Sequence, residues 1–263
     1  IGEPAELSGE AASRARPTLT GRQGELARAV LATGRPTVIV LTCGRPLIET
    51  ERIAAADATL VAWYPGSEGG HAVADVLTGA RAPAGRLPVS WPADVGQIPV
   101  FYGERPGGRP FVPGDHFSTR YLDVSNLPLF PFGHGLSFTR FELAPPRAAP
   151  ARIVAGDGVR VTTEVVNAGD VAGSTTVFLF LRDVVASTSR PILELKRFVT
   201  LDLAAGERRA VVFDLDGADF ALLGPDLEPT VEPGAFDLSV GFSADRLALL
   251  TVRVECVAAP AIV

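Results

Sequence analysis

The residues best placed to do chemistry in this sequence are carboxylates set beside glycines. Tyr64-Pro65-Gly66-Ser67-Glu68-Gly69-Gly70-His71 follows an apolar run and leads into a segment of helical spacing. Pro65-Gly66 is therefore expected at the C-terminal end of a strand, where open α/β sheets usually take their ligands. Gly69 and Gly70 let the backbone approach closely before the helix begins. Glu68 then has two readings. It is a hydrogen-bond acceptor on the rim of a ligand cleft, or a carboxylate favoured by the positive end of a helix, an effect of about 0.3 to 1 kcal/mol. His71, one turn into that helix, reads as a packed or exposed helix residue. Nearer the N-terminus, Leu7-Ser8-Gly9-Glu10-Ala11-Ala12-Ser13-Arg14 holds a glutamate between small residues, which a loop can aim into a cleft.

Other chemistries find less support. His71, His116 and His134 lie far apart with no acidic or cysteine ligand at a fixed offset, so no metal site is expected. Asp115-His116-Phe117 could border a cleft, although a structural role fits it better. Gly107-Gly108 lacks the strand-to-helix context of a phosphate cradle. Cys43 and Cys256 form no disulfide framework and read as two free, buried thiols. The net charge of −6 is spread along the chain, leaving no basic stripe for a phosphate backbone, and nucleic acid is not an expected partner. No apolar run reaches the roughly 18 residues of a membrane span. The chain has no methionine, so Ile1 is not expected to be a translation start, and compartment is left open.

The elements that must position these groups fall into two regions. Arg22 to Leu31 carries Leu26, Ala27, Val30 and Leu31 at helical spacing before Gly34. Thr37 to Thr42 is apolar and β-branched, as a strand buried on both faces of a parallel sheet would be. A short helix from Glu51 to Ala56, a strand from Ala58 to Trp63 and a helix from Gly69 to Leu77 follow. This order predicts an α/β layer with right-handed crossovers and helices on both faces. From Ala80 to Pro146 the chain becomes rich in proline, glycine and aromatic residues, an ordered excursion that packs on something. Pro145 to Pro150 is the expected boundary, a stiff connector. Beyond it the period becomes two, with strands expected at Val159 to Val166, Thr175 to Leu181, Arg197 to Leu203, Arg208 to Leu215, Gly234 to Phe242 and Ala248 to Glu255. About seven short strands at this spacing predict an immunoglobulin-like β-sandwich.

Three stretches carry a resemblance. Tyr64 to Gly79, followed by Ala84-Gly85-Arg86-Leu87-Pro88-Val89-Ser90-Trp91-Pro92, resembles the signature of the α/β sandwich domain of family 3 glycoside hydrolases. Pro128 to Phe138 is similar to the segment that closes that domain. Asn167 to Gly173, Arg190 to Phe198 and Val231 to Gly234 are similar to the fibronectin type III-like module of many β-glucosidases. The resemblance implies a partial α/β/α sandwich domain over residues 1–146, its first strands missing, and a fibronectin type III-like β-sandwich over 147–263. A sheet cut in this way should present an exposed or rearranged edge.

It also implies a retaining, exo-acting β-glycosidase, most simply a β-glucosidase, that removes terminal β-linked sugars from oligosaccharides or β-glucosides without a cofactor. The nucleophilic aspartate of the family sits on an N-terminal barrel domain, which is the expected partner of this chain. The general acid/base is a glutamate in a Ser-Gly-Glu context, which maps to Glu10. Glu3 in Gly2-Glu3 is the rival, Arg14 could orient Glu10 or bind a substrate hydroxyl, and Glu68 becomes a sugar-binding candidate. With no nucleophile in the chain, a non-catalytic carbohydrate- or protein-binding module is the alternative.

Overall fold

Alternation of strand and helix between Thr37 and Leu77 yields a small parallel sheet in a computed structural model that describes residues 1–258. Residues 259–263 of the expected second domain lie outside the described residues. Contacts divide the chain into two units, one of residues 1–81, 90–100 and 121–130, the other of residues 82–89, 101–120 and 131–258.

In the first unit, β1 (Val38–Leu41) pairs in parallel with β2 (Ala58–Val61), in register from Val38↔Ala58 to Leu41↔Val61. Gly2 adds a parallel bridge to Thr42 on the other side of β1, with the Glu3 amide donating to the Thr42 carbonyl at 2.8 Å. Helices α1 (Gln23–Leu31), α2 (Thr50–Ala55) and α3 (Gly69–Leu77) fall where the periodicity places them. Helices α1 and α2 meet at Gly24, whose missing Cβ leaves room for the Arg52 guanidinium. One expectation needs correction. Ile39 and Leu41 are buried, but Val38 is 47% exposed, so β1 is covered well on one face only. Val40, on the same face as Val38, is half-buried.

The aromatic excursion is ordered, and it serves both units. Trp91 is fully buried in the first, its indole N–H donating to the Leu47 carbonyl at 3.0 Å and its backbone bridging Phe130. Gln97 donates to the carbonyls of Ser125 and Leu127 at 2.7 and 3.0 Å, tying the returning segment down.

In the second unit a five-stranded sheet has the order β5 (Arg152–Val154), β13 (Leu250–Val257), β12 (Gly234–Gly241), β7 (Gly173–Asp183), β8 (Glu194–Leu203). Facing it, β6 (Val159–Asn167) pairs with β9 (Arg208–Leu215) on one edge, and with β3 (Phe141–Leu143) and β4 (Arg147–Ala149) along the other. Strands β10 (Leu222–Leu223) and β11 (Pro229–Thr230) form a small separate hairpin. Inside the segment expected as a connector, Arg147 to Ala149 is thus an edge strand on β6. The core between the sheets gathers Val161, Val165, Leu179, Leu238 and Val254.

Strand β7 is buried along nearly its whole length because its two faces pack on different things. Val177, Leu179 and Leu181 enter the sandwich core, while Phe178 and Phe180 meet Phe132 and Tyr102 of the excursion. The Tyr102 and Phe132 rings lie 4.8 Å apart, and Phe132 meets Phe178 at 5.4 Å. Asn167, where the sequence turns, is fully buried and its amide donates to the carbonyls of Val171 and Leu203 at 2.8 and 3.2 Å.

Candidate active site at the carboxyl ends of the parallel strands

Parallel pairing brings the C-terminal ends of three segments to one place: Gly2-Glu3, Thr42 to Arg45 after β1, and Ala62 to Glu68 after β2. This is the end of an open α/β sheet at which ligands bind. Glu3, Glu10, Arg14 and Glu68 lie on loops that leave it. The backbone turns sharply here. Trp63 takes φ 53°, a left-handed conformation that bulky residues rarely adopt and that costs on the order of 1 to 3 kcal/mol. Packing of its ring 6.0 Å from that of Trp91 helps hold it.

Glu10 sits in a turn, exposed, between Gly9 at φ 116° and Ala11 at φ 56°. Only glycine adopts the first of these freely. Among the described residues no donor reaches the Glu10 carboxylate. Glu3 is its opposite. Its side chain is 0% exposed, and its two oxygens accept from Arg14 Nη1 at 2.8 Å and Arg45 Nε at 3.2 Å. Arg14 is therefore brought to Glu3 and not to Glu10. Tyr64 extends the arrangement, its hydroxyl donating to the Glu3 carbonyl at 3.2 Å.

Glu68 stands at the N-cap of α3, 84% exposed, with no capping hydrogen bond from its side chain. Its carboxylate pairs with His71 Nδ1 at 2.8 Å. The Pro65 to Gly69 turn folds tightly on itself: a Cβ at Gly69 would lie 2.4 Å from Pro65 Cγ. His116 and His134 belong to the second unit. Burial of His134, and then the nearby Arg86 charge, hold its pKa below the usual imidazole value. No cluster that could hold a metal occurs among the described residues, and none of their helices is long and apolar enough to cross a membrane. Both cysteines are free and buried. Burial pushes the Cys43 thiol up to about 11, a backbone hydrogen bond from Arg45 opposes it, and the Glu3 charge adds to it, so Cys43 stays protonated and unreactive near neutral pH.

Sequence reasoning missed Arg45. The available signal was its position directly after the Thr37 to Thr42 strand, at the end of the sheet where ligands bind. Gly44 beside it is required by close approach: a Cβ there would lie 1.9 Å from Ser8 Oγ and 2.9 Å from Tyr64 Cε2. Gly44→Ala is expected to push the Ser8 to Ala11 turn outward at a cost of about 1 to 3 kcal/mol. Faster hydrogen exchange at the amides of residues 7–12 is the measurement; unchanged exchange there would show that the loop absorbs the methyl group.

A parallel α/β layer followed by a β-sandwich is an arrangement that known proteins share. Residues 1–138 match the glycosyl hydrolase family 3 C-terminal domain and residues 175–244 the fibronectin type III-like domain. The chain belongs to glycoside hydrolase family 3. It is 39% identical over 249 residues to a periplasmic β-glucosidase of Salmonella typhimurium, an alignment covering 94% of this chain and 32% of that one. It is also 39% identical over 257 residues to a β-xylosidase of Formosa agariphila, covering 97% and 35%. A crystal structure of the β-glucosidase from Listeria innocua in complex with glucose aligns at TM-score 0.92 and 39% identity, over 97% of this chain and 36% of that one. The chain thus spans about a third of the length of the relatives it matches.

Proposed function

We propose that this chain supplies the general acid/base, Glu10, to a retaining, exo-acting β-glycosidase whose nucleophilic aspartate lies on an N-terminal barrel domain. The observation that carries the reading is the contrast between the two N-terminal glutamates. Glu10 is exposed on a turn at the strand ends, while Glu3 is buried with both oxygens engaged by arginines. A retaining enzyme needs two carboxyl groups about 5 to 5.5 Å apart. Glu10 would protonate the glycosidic oxygen as the aspartate takes the anomeric carbon, and its carboxylate would then accept a proton from the water that releases the sugar. Arg14 and Glu68 are the side chains of this chain proposed to meet substrate hydroxyls at the rim. Substrates are oligosaccharides or simple β-glucosides, glucosides being favoured by the names of most relatives. The division of the chain at 146/147 into an α/β domain and a fibronectin type III-like domain is part of the same reading.

The test follows from the division of labour. Purified alone, the chain should show no turnover of aryl β-glucosides, and activity should appear only with the barrel domain supplied. Turnover by the isolated chain that disappears in Glu10→Gln would overturn this assignment of the nucleophile.

A further inference from the structure

We propose that Arg45 is a positioning residue that closes the loop carrying Glu10, so that one guanidinium fixes where the acid/base points. The inference rests on the reading of Glu10 given above. Arg45 Nη2 donates to the carbonyl of Leu7 at 2.5 Å and to that of Ala12 at 2.8 Å. These carbonyls bracket the turn Ser8 to Ala11. The same guanidinium donates through Nε to Glu3 at 3.2 Å, and Arg14 reaches the other oxygen of Glu3 at 2.8 Å. Both ends of the turn are thereby tied to one buried carboxylate. Close packing of Gly44 against Ser8 seats the turn from below. Glu10 takes part in none of these bonds, so its aim is set by the backbone that Arg45 pins.

An exposed turn with few apolar contacts ordinarily opens at little cost. General acid catalysis requires the opposite, because a displacement of about 1 Å can cost roughly 100-fold in rate. Arg45 resolves the conflict because its planar fork reaches two carbonyls and a carboxylate at once. A lysine at this position keeps the charge but offers a single nitrogen, which cannot bond the Leu7 and Ala12 carbonyls where Nη2 sits and the Glu3 carboxylate where Nε sits at the same time.

The experiment compares Arg45→Lys, Arg45→Ala and Glu10→Ala in the protein translated from the whole reading frame that contains this chain. The readout is kcat/KM, which reports the step that breaks the glycosidic bond, for 2,4-dinitrophenyl β-glucoside and for methyl β-glucoside. The first leaving group departs without protonation and the second requires it. Both Arg45 variants are expected to lose about 10- to 100-fold more on the methyl glucoside than on the dinitrophenyl glucoside, a fraction of what general acid catalysis supplies. Equal losses on the two substrates, or none, while Glu10→Ala shows the unequal pattern, would overturn the role of Arg45 and leave Glu10 standing. Equal losses in Glu10→Ala would remove the reading of Glu10 and this inference with it. Should Arg45→Ala not fold, Arg45→Lys carries the comparison; if the lysine variant also fails to fold, Arg45 is a brace of the strand ends and the inference is wrong.

Discussion

If Glu10 is the acid/base as proposed, Glu10→Gln in the protein translated from the whole reading frame is expected to lower turnover of unactivated β-glucosides by about 100- to 10,000-fold, the range that a positioned acid/base supplies. Glutamine keeps the size and polarity of the side chain but can neither give up nor take a proton. The loss should therefore be confined to chemistry, with KM nearly unchanged on unactivated glucosides and lowered on the dinitrophenyl glucoside, where the covalent intermediate accumulates. Added azide should restore turnover of the dinitrophenyl glucoside, because a small anion can attack the glycosyl-enzyme without help from a base. Glu10 is exposed between Gly9 and Ala11, with no donor on its carboxylate among the described residues, which fits the proposed role. A variant with near wild-type turnover on methyl β-glucoside would remove Glu10 from the mechanism.

Glu3→Ala is the second change expected to have a large effect, and its effect is on stability. The substitution leaves Arg14 and Arg45 facing each other with no carboxylate between them. Breaking a buried pair by removing one partner costs about 3 to 5 kcal/mol. The lower end applies, because the arginine side chains keep 19% and 24% exposure and part of their charge stays in water. The Gly2 bridge to Thr42 and the Leu7 to Ala12 loop should loosen together, since the same carboxylate orders both arginines. Denaturant melts and hydrogen exchange over residues 1–14 measure the loss. Glu3→Gln should fall between, since an amide oxygen still accepts one guanidinium bond without a charge. A cost below about 1 kcal/mol for the alanine variant would place Glu3 among ordinary surface ion pairs.

Much of this protein is legible in its sequence for local reasons. The strand from Thr37 announces itself by four successive β-branched residues, Thr37 to Val40, and α3 begins at Gly69 because Pro65-Gly66 ends one element before the next can start. The period-two pattern of β6 alternates buried and exposed side chains as written. Glu10 is singled out by the resemblance to family 3, through its Ser8-Gly9-Glu10 context, while Gly9 and the small flanking residues mark the turn that bears it. Short edge strands such as β3, β4 and β5 escaped, because three residues carry no readable period and form only when a longer neighbour offers its edge.

The two partners of Glu3 could not be read in this way. Arg14 and Arg45 stand 11 and 42 positions from Glu3, and although Arg45 follows a strand, nothing in the local sequence says that either arginine meets Glu3. Parallel pairing decides it. Gly2 and Thr42 are neighbours in one sheet, so the residues that follow them, Glu3 and Arg45, leave the sheet at the same end. The same pairing buried one N-terminal glutamate and left the other exposed. Periodicity and turn residues act over a few positions and so determined the elements and the loop that bears Glu10. Which side chains meet at the strand ends depends on strand order, which only the tertiary structure decided.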